Sequence, residues 1–271
     1  MADSVGSLIR RAAVAACLSL LPVVHAYAQR PLPPPTPAPA SAEFLPRGQF
    51  YVSAEALQID DPRFTWDTHF GGEVDVVDYV FGRINGVVDY EAVLGNEFRA
   101  FDPNQGNYIL EFSGSARVRQ TEIAAFFHHE SRHLSDRFKR YPIAWNVLGA
   151  RLLRRFAAAS ATIDVQGEAG AVTEHAYVDY AWTADVDVLA RRPLSARFGI
   201  FAHAAGSLIG IDSGSSSRGT QSGGRVEAGM QVRGGSAAGE LFVGFEHRID
   251  ADPVDFMPQR WVFAGFRIMS R

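Results

Sequence analysis

"RVEAGMQVRGGSAAGELFVGFEHRI", residues 225–249, alternates with a period of two on both sides of a glycine–serine break. Val226, Ala228, Met230 and Val232 share one face, opposite Arg225, Glu227, Gln231 and Arg233. After the break, Leu241, Val243, Phe245 and Ile249 oppose Glu240, Glu246 and Arg248. Successive side chains of a strand point to opposite faces, so each half reads as an amphipathic strand and the pair as a hairpin. One face is almost free of charge; the other is rich in Arg and Glu.

The pattern recurs along the chain. Ala161, Ile163 and Val165 oppose Thr162, Asp164, Gln166 and Glu168. Tyr108, Leu110, Phe112, Ala116 and Val118 oppose Glu111, Ser113, Ser115 and Arg117. Twelve strands are expected, at 49–59, 73–81, 84–94, 107–119, 121–131, 142–155, 158–168, 175–188, 194–207, 221–234, 237–249 and 259–269. A soluble sandwich or lipocalin-like fold would turn the apolar faces inward. A transmembrane barrel turns them out to lipid around a polar lumen. The links favour the barrel, because short turns alternate with long loops, as in outer-membrane barrels. The strand number is even, and most strands reach the roughly 9–11 residues needed to cross a bilayer. The expected fold is all-β: a twelve-stranded antiparallel transmembrane barrel of the bacterial outer membrane.

The chain ends agree with that location. Arg10 and Arg11, the apolar run Ala12 to Val24 and the Ala26-Tyr27-Ala28 site read as a secretory signal over 1–28. Val14-Ala15-Ala16-Cys17 gives a competing lipoprotein reading. Cys17 is the sole cysteine, so a chain cut after Ala28 has neither a disulfide nor a cysteine metal site. Residues 29–46 are proline-rich and read as a periplasmic linker, with the barrel over 47–271. A net charge of −4 with both signs interspersed gives no basic patch, and no nucleic acid is expected as a partner.

One stretch, "AAFFHHESRHLSDRFKRYPIAWN" at 124–146, carries chemistry. His129-Glu130-Ser131-Arg132-His133 spells H-E-x-x-H, the zinc hydrolase signature, which works when a helix brings both histidines to one face. On a strand those histidines lie about 13 Å apart, too far to share an ion. The strand reading instead puts His129, Ser131 and Asn146 on the lipid-facing side of two neighbouring strands, beside a loop at 132–141. Polar groups on that surface are costly and tend to be functional. Ser131 is the candidate nucleophile, His129 its base, and Asn146 the group that fixes the imidazole tautomer. His128 is expected in the lumen, and Arg132, Arg137, Lys139 and Arg140 form an outer basic cluster.

His129-Glu130-Ser131, Ser135-Asp136, Arg140 and Trp145-Asn146-x-Leu148-x-x-Arg151-Leu152 together resemble the active-site stretch of the outer-membrane phospholipase A family. The resemblance covers about 25 residues. It implies a twelve-stranded barrel with a Ser-His-Asn triad on its outer wall, hydrolysis of phospholipid acyl esters, calcium dependence and activation as a homodimer. Carried over, it makes His129 the base, Ser131 the nucleophile and Asn146 the orienting residue. It also implies phospholipid or lipopolysaccharide as partner, with Arg132 and His133 as headgroup candidates. Arg132-His133 stands where the family has Asn-Gly, and the loop to Asn146 is about three residues longer. The family's calcium-ligating serine has no counterpart; Asp136 is the candidate metal ligand in its place. "HESRHLSD" is also similar to an H-x-S-S-H-L-G-D stretch in a group of uncharacterised outer-membrane proteins, which makes a divergent relative the neighbouring expectation. A non-enzymatic barrel, either a narrow pore or a structural surface protein, and a secreted zinc hydrolase are the alternatives.

Overall fold

The structure, a computed structural model, describes residues 38–135 and 142–270. Twelve strands run in order: β1 (Glu43–Gln58), β2 (Trp66–Asp78), β3 (Arg83–Gly95), β4 (Asp102–Val118), β5 (Thr121–Leu134) and β6 (Ile143–Ala158), then β7 (Ala161–Ala176), β8 (Tyr180–Pro193), β9 (Phe198–Ile211), β10 (Gln221–Arg233), β11 (Ala237–Asp252) and β12 (Met257–Ser270). Each pairs antiparallel with its sequence neighbours, and β1 closes on β12. Closure leaves no unpaired sheet edge, the condition for a sheet in lipid. The segment read as a signal, and residues 29–37 of the linker, lie outside the described residues. The barrel starts at Glu43, earlier than position 47, because Glu43 and Phe44 pair with Asp78 and Val77.

The strand count is as expected; several bounds differ. β2 begins at Trp66, seven residues before the expected 73. The added residues include Gly71 and Gly72. In the barrel they sit mid-strand, where a Cβ would collide with the Tyr51 and Phe50 rings. β9 starts at Phe198 rather than 194, because Leu194 and Ser195 both donate backbone hydrogen bonds to the Phe198 carbonyl and close a turn. β7 continues to Ala176 through residues expected to be a loop.

The apolar faces point outward. Phe70, Phe112, Leu148, Met230, Leu241 and Val243 are all more than half exposed, whereas Arg225, Glu227 and Glu246 are buried. The soluble-sandwich alternative fails on this point, since it requires the opposite sense. On such a wall a charge meets lipid. Val243→Arg, in the middle of β11, is expected to destabilise the barrel by about 2–4 kcal/mol, measured by denaturant unfolding in phospholipid vesicles against Val243→Leu.

The lumen is packed with ion pairs. Arg225 reaches Glu55 at 2.6 Å, Glu227 at 2.7 Å and Glu246 at 3.1 Å. Arg248 joins Asp67, Glu91 and Glu246, so it bridges β11 to β2 and β3 across the barrel. The guanidinium planes also stack on rings, Arg225 on Phe263 and Arg248 on Trp261. Planar, fork-shaped arginine suits both contacts at once.

At the end away from the chain termini, the last residues of β11 are held tightly by their neighbours. Asp250, Ala251 and Asp252 are almost fully buried. Arg132 and Gln105 donate to the Asp250 and Ala251 carbonyls at 2.8 and 2.6 Å. Tyr180 and Arg218 hold the Asp250 carboxylate, and Arg63 pairs with Asp252.

Candidate functional site

β5 rises from the turn at 119–120 toward the end of the barrel that holds Asp250, and parity sorts its residues. Glu122, Ala124, Phe126, Glu130 and Arg132 are buried toward the lumen, whereas His129, Ser131 and His133 lie on the outer wall. The H-E-x-x-H sequence is therefore strand. Its glutamate faces the opposite side from its histidines and pairs inside with Arg132 at 2.9 Å. The zinc reading fails because no helix brings the three groups together.

His129 pairs directly with Asn146 of β6 in the ladder. Nδ1 of His129 lies 2.6 Å from Oδ1 of Asn146. The amide nitrogen of Asn146 in turn donates to Glu174 of β7 at 3.2 Å. An ionised carboxylate only accepts, so Glu174 dictates which way the amide points. Its oxygen must then face His129, whose Nδ1 must carry the hydrogen. In the neutral imidazole this leaves the Nε2 lone pair as the basic site.

Glu174 owes its position to a bulge. Asn146 pairs with Glu174, yet Val147 pairs with Val172, so Thr173 is an extra residue. Below the bulge, Asp164 and Gln166 point inward. The additional residue reverses the parity and turns Glu174 out to the wall. Thr173 also donates to the Asn146 carbonyl at 3.4 Å.

Ser131 sits between two histidines on one face. Its hydroxyl lies 3.5 Å from Nε2 of His133, the outer limit of a hydrogen bond. Among the described residues it has no hydrogen bond to His129. His133 packs edge-on against Tyr108, with ring centres 5.3 Å apart, and Tyr108 leans on Tyr90. Gly106, opposite His133 in the ladder, leaves room for the Tyr90 ring. An aromatic shelf thus flanks the serine on its β4 side.

Two sequence expectations change. Arg132, a headgroup candidate on the outer surface, is buried and points into the lumen over Trp145. The expected strand ended at 131; extending it to Leu134 puts Arg132 on the inward parity. His133, read as a loop residue, belongs to β5 and faces outward. Asp136 and the basic residues 137–140 lie outside the described residues. His128 is in the lumen, between Glu111 and Glu130.

Outer membrane phospholipase A from Escherichia coli has a similar fold. The match has a TM-score of 0.50 at 9% identity and covers 82% of this chain and 92% of that one. An outer membrane channel from Pseudomonas putida F1 matches equally well, with a TM-score of 0.50 at 10% identity over 89% of this chain and 99% of that one. No family model and no curated protein sequence matches the chain. With its closed sheet and lipid-facing apolar wall, the protein is a barrel of the bacterial outer membrane. The two neighbours differ in activity, so fold alone does not choose between hydrolase and channel.

Proposed function

We propose that this chain is an outer-membrane lipid-ester hydrolase resembling phospholipase A, with Ser131 as the acyl acceptor. The observation that carries the reading is the directed series Glu174–Asn146–His129, ending in an imidazole lone pair on the wall that carries Ser131. His129 takes the hydroxyl proton as Ser131 attacks the ester carbonyl, then returns it to the leaving alcohol. Water hydrolyses the acyl-enzyme by the same route in reverse order. The hydroxyl–imidazole approach is long in the absence of substrate, as such contacts commonly are. Ser131 is paired on both sides, with Tyr108 and Ala144, so its backbone belongs to the ladder. Donors to the oxyanion then fall to side chains, and the His133 imidazole is the nearest. Phospholipid or lipopolysaccharide acyl chains would lie along the apolar wall, beside Tyr108 and Tyr90. Calcium dependence and a homodimer come with the same reading through the family resemblance. Assays with added calcium or a chelator, and across protein concentrations, address both.

The 3.5 Å contact favours a second arrangement in which His133 is the base and His129 is structural. Hydrolysis of a phospholipid in mixed micelles separates the two. With His129 as base, His129→Ala lowers kcat on the order of 10²-fold or more, and His133→Ala causes the smaller loss. The reverse order assigns the base to His133. Glu174→Gln removes the group that fixes the Asn146 amide, because glutamine can donate as well as accept. A loss of about tenfold in kcat with little change in KM is expected, smaller than that from removing a general base. Unaltered kinetics in Glu174→Gln would detach Glu174 from the site.

A further inference from the structure

Inside the barrel, on the rung next to that of Ser131, a second group of polar side chains converges. The ladder pairs His69 with Glu91, Glu91 with Asn107, and Asn107 with Arg132, all toward the lumen. Asp67 stands two residues before His69 on the same inward face of β2. One ligand atom each from Asp67, His69 and Glu91 lies within 4.8 Å of the others. Nε2 of His69 is 3.6 Å from Oδ1 of Asp67 and 3.8 Å from Oε1 of Glu91. These gaps are too long for hydrogen bonds. They are close to the separation of about 3.4 Å expected between ligands of one tetrahedral ion with bonds near 2.1 Å.

Two of these atoms have no hydrogen-bond partner although they are buried: His69 Nε2 and Asp67 Oδ1. They face each other. Nδ1 of His69 is already engaged by the Asp89 carboxylate at 2.7 Å. That contact places a hydrogen on Nδ1 and leaves Nε2 facing two carboxylate oxygens, a position that a proton or a bound cation can fill. A carboxylate behind the distal nitrogen is also the usual support of a metal-binding histidine. The other lumenal histidines differ. His128 and His203 each have acidic groups on opposite ring nitrogens, as a bridging group would. Only His69, among the described residues, has two carboxylates converging on one nitrogen whose companion is held by a third.

Charge points the same way. Three carboxyl groups, of Asp67, Asp89 and Glu91, surround the imidazole, while the Arg248 guanidinium that pairs with two of them also serves Glu246. With His69 neutral, a divalent ion balances these acids. His69, Asp89 and Glu91 line the lumen cavity, so a fourth coordination position opens onto space where water fits. One nitrogen and two carboxylate donors suit a borderline transition metal such as zinc better than calcium, which takes six to eight oxygens.

We infer that Asp67, His69 and Glu91 bind a divalent transition-metal ion of the zinc class inside the barrel, with Asp89 orienting His69. The ion ties β2 to β3 and is separate from the chemistry on the outer wall.

The test uses the full barrel, refolded in detergent, stripped with chelator and titrated with zinc chloride by calorimetry. Heat-modifiable gel migration confirms folding of each variant. One ion per chain is expected, with a rise in unfolding temperature on loading. His69→Ala and Asp67→Asn should each weaken binding by at least about 100-fold, and Asp89→Asn by about 10- to 100-fold. His247→Gln, at a histidine outside the cluster, should bind as the parent does. Cobalt should give the visible absorption of a four- or five-coordinate nitrogen–oxygen site in the parent and lose it in His69→Ala. If His69→Ala does not fold, the two carboxylate variants still decide. No stoichiometric zinc binding by the folded parent overturns the inference. So does binding that survives His69→Ala and Asp67→Asn, which would put the ion at the outer histidines.

Discussion

Refolded Ser131→Ala is expected to hydrolyse phospholipid at least about 10³-fold more slowly than the parent, at unchanged stability. Ser131 is half-buried on the outer wall and pairs with Tyr108 and Ala144, and alanine is tolerated at such a strand position. A drop in rate therefore reports chemistry and not unfolding. In serine hydrolases, loss of the nucleophile costs about as much as loss of the whole triad, so little partial activity should remain. The assay is fatty-acid release from mixed micelles, with gel migration confirming that both barrels are closed. Equal rates in parent and variant, or no hydrolysis by either, would remove the serine mechanism and leave the channel-like and structural readings of this fold.

The second large effect lies inside the barrel. Arg225→Met should destabilise the protein by about 3–5 kcal/mol. Arg225 is 1% exposed and meets Glu55, Glu227 and Glu246 within 3.1 Å, while its plane covers Phe263. Methionine replaces the volume but leaves three acidic groups around an apolar side chain. An ion pair as a whole is not strongly stabilising; the cost arises from removing one side of it. Arg225→Lys keeps the charge and loses the fork, so an intermediate loss is expected. Guanidinium-induced unfolding in micelles measures both. A change below 1 kcal/mol for Arg225→Met would mean that water or Arg267 compensates the acids.

The barrel was readable because period two needs no knowledge of tertiary contacts. Val226 to Val232 and Leu241 to Phe245 announce their shared face wherever the strand goes, and lumenal Arg and Glu mark the other. His129, Ser131 and Asn146 could be placed on one wall by the same counting. Parity fails where a strand is irregular. Glu174 lies after the Thr173 bulge in a segment that reads as a loop, so nothing local marks it as a neighbour of Asn146. The lumenal trio was hidden differently. The second strand was expected to begin at 73 after a long loop, which left Asp67 and His69 outside any expected strand, whereas β2 begins at Trp66. Arg132 was misplaced by ending β5 three residues early.

The burial of Asp250 to Asp252 has a consequence for the end of the barrel they belong to. Five side chains, from three other strands and two loops, grip that short segment, so this rim of the barrel is tied together by charged and hydrogen-bonded contacts. Releasing one of these partners would leave a buried charge or carbonyl unmatched, so the rim resists local opening.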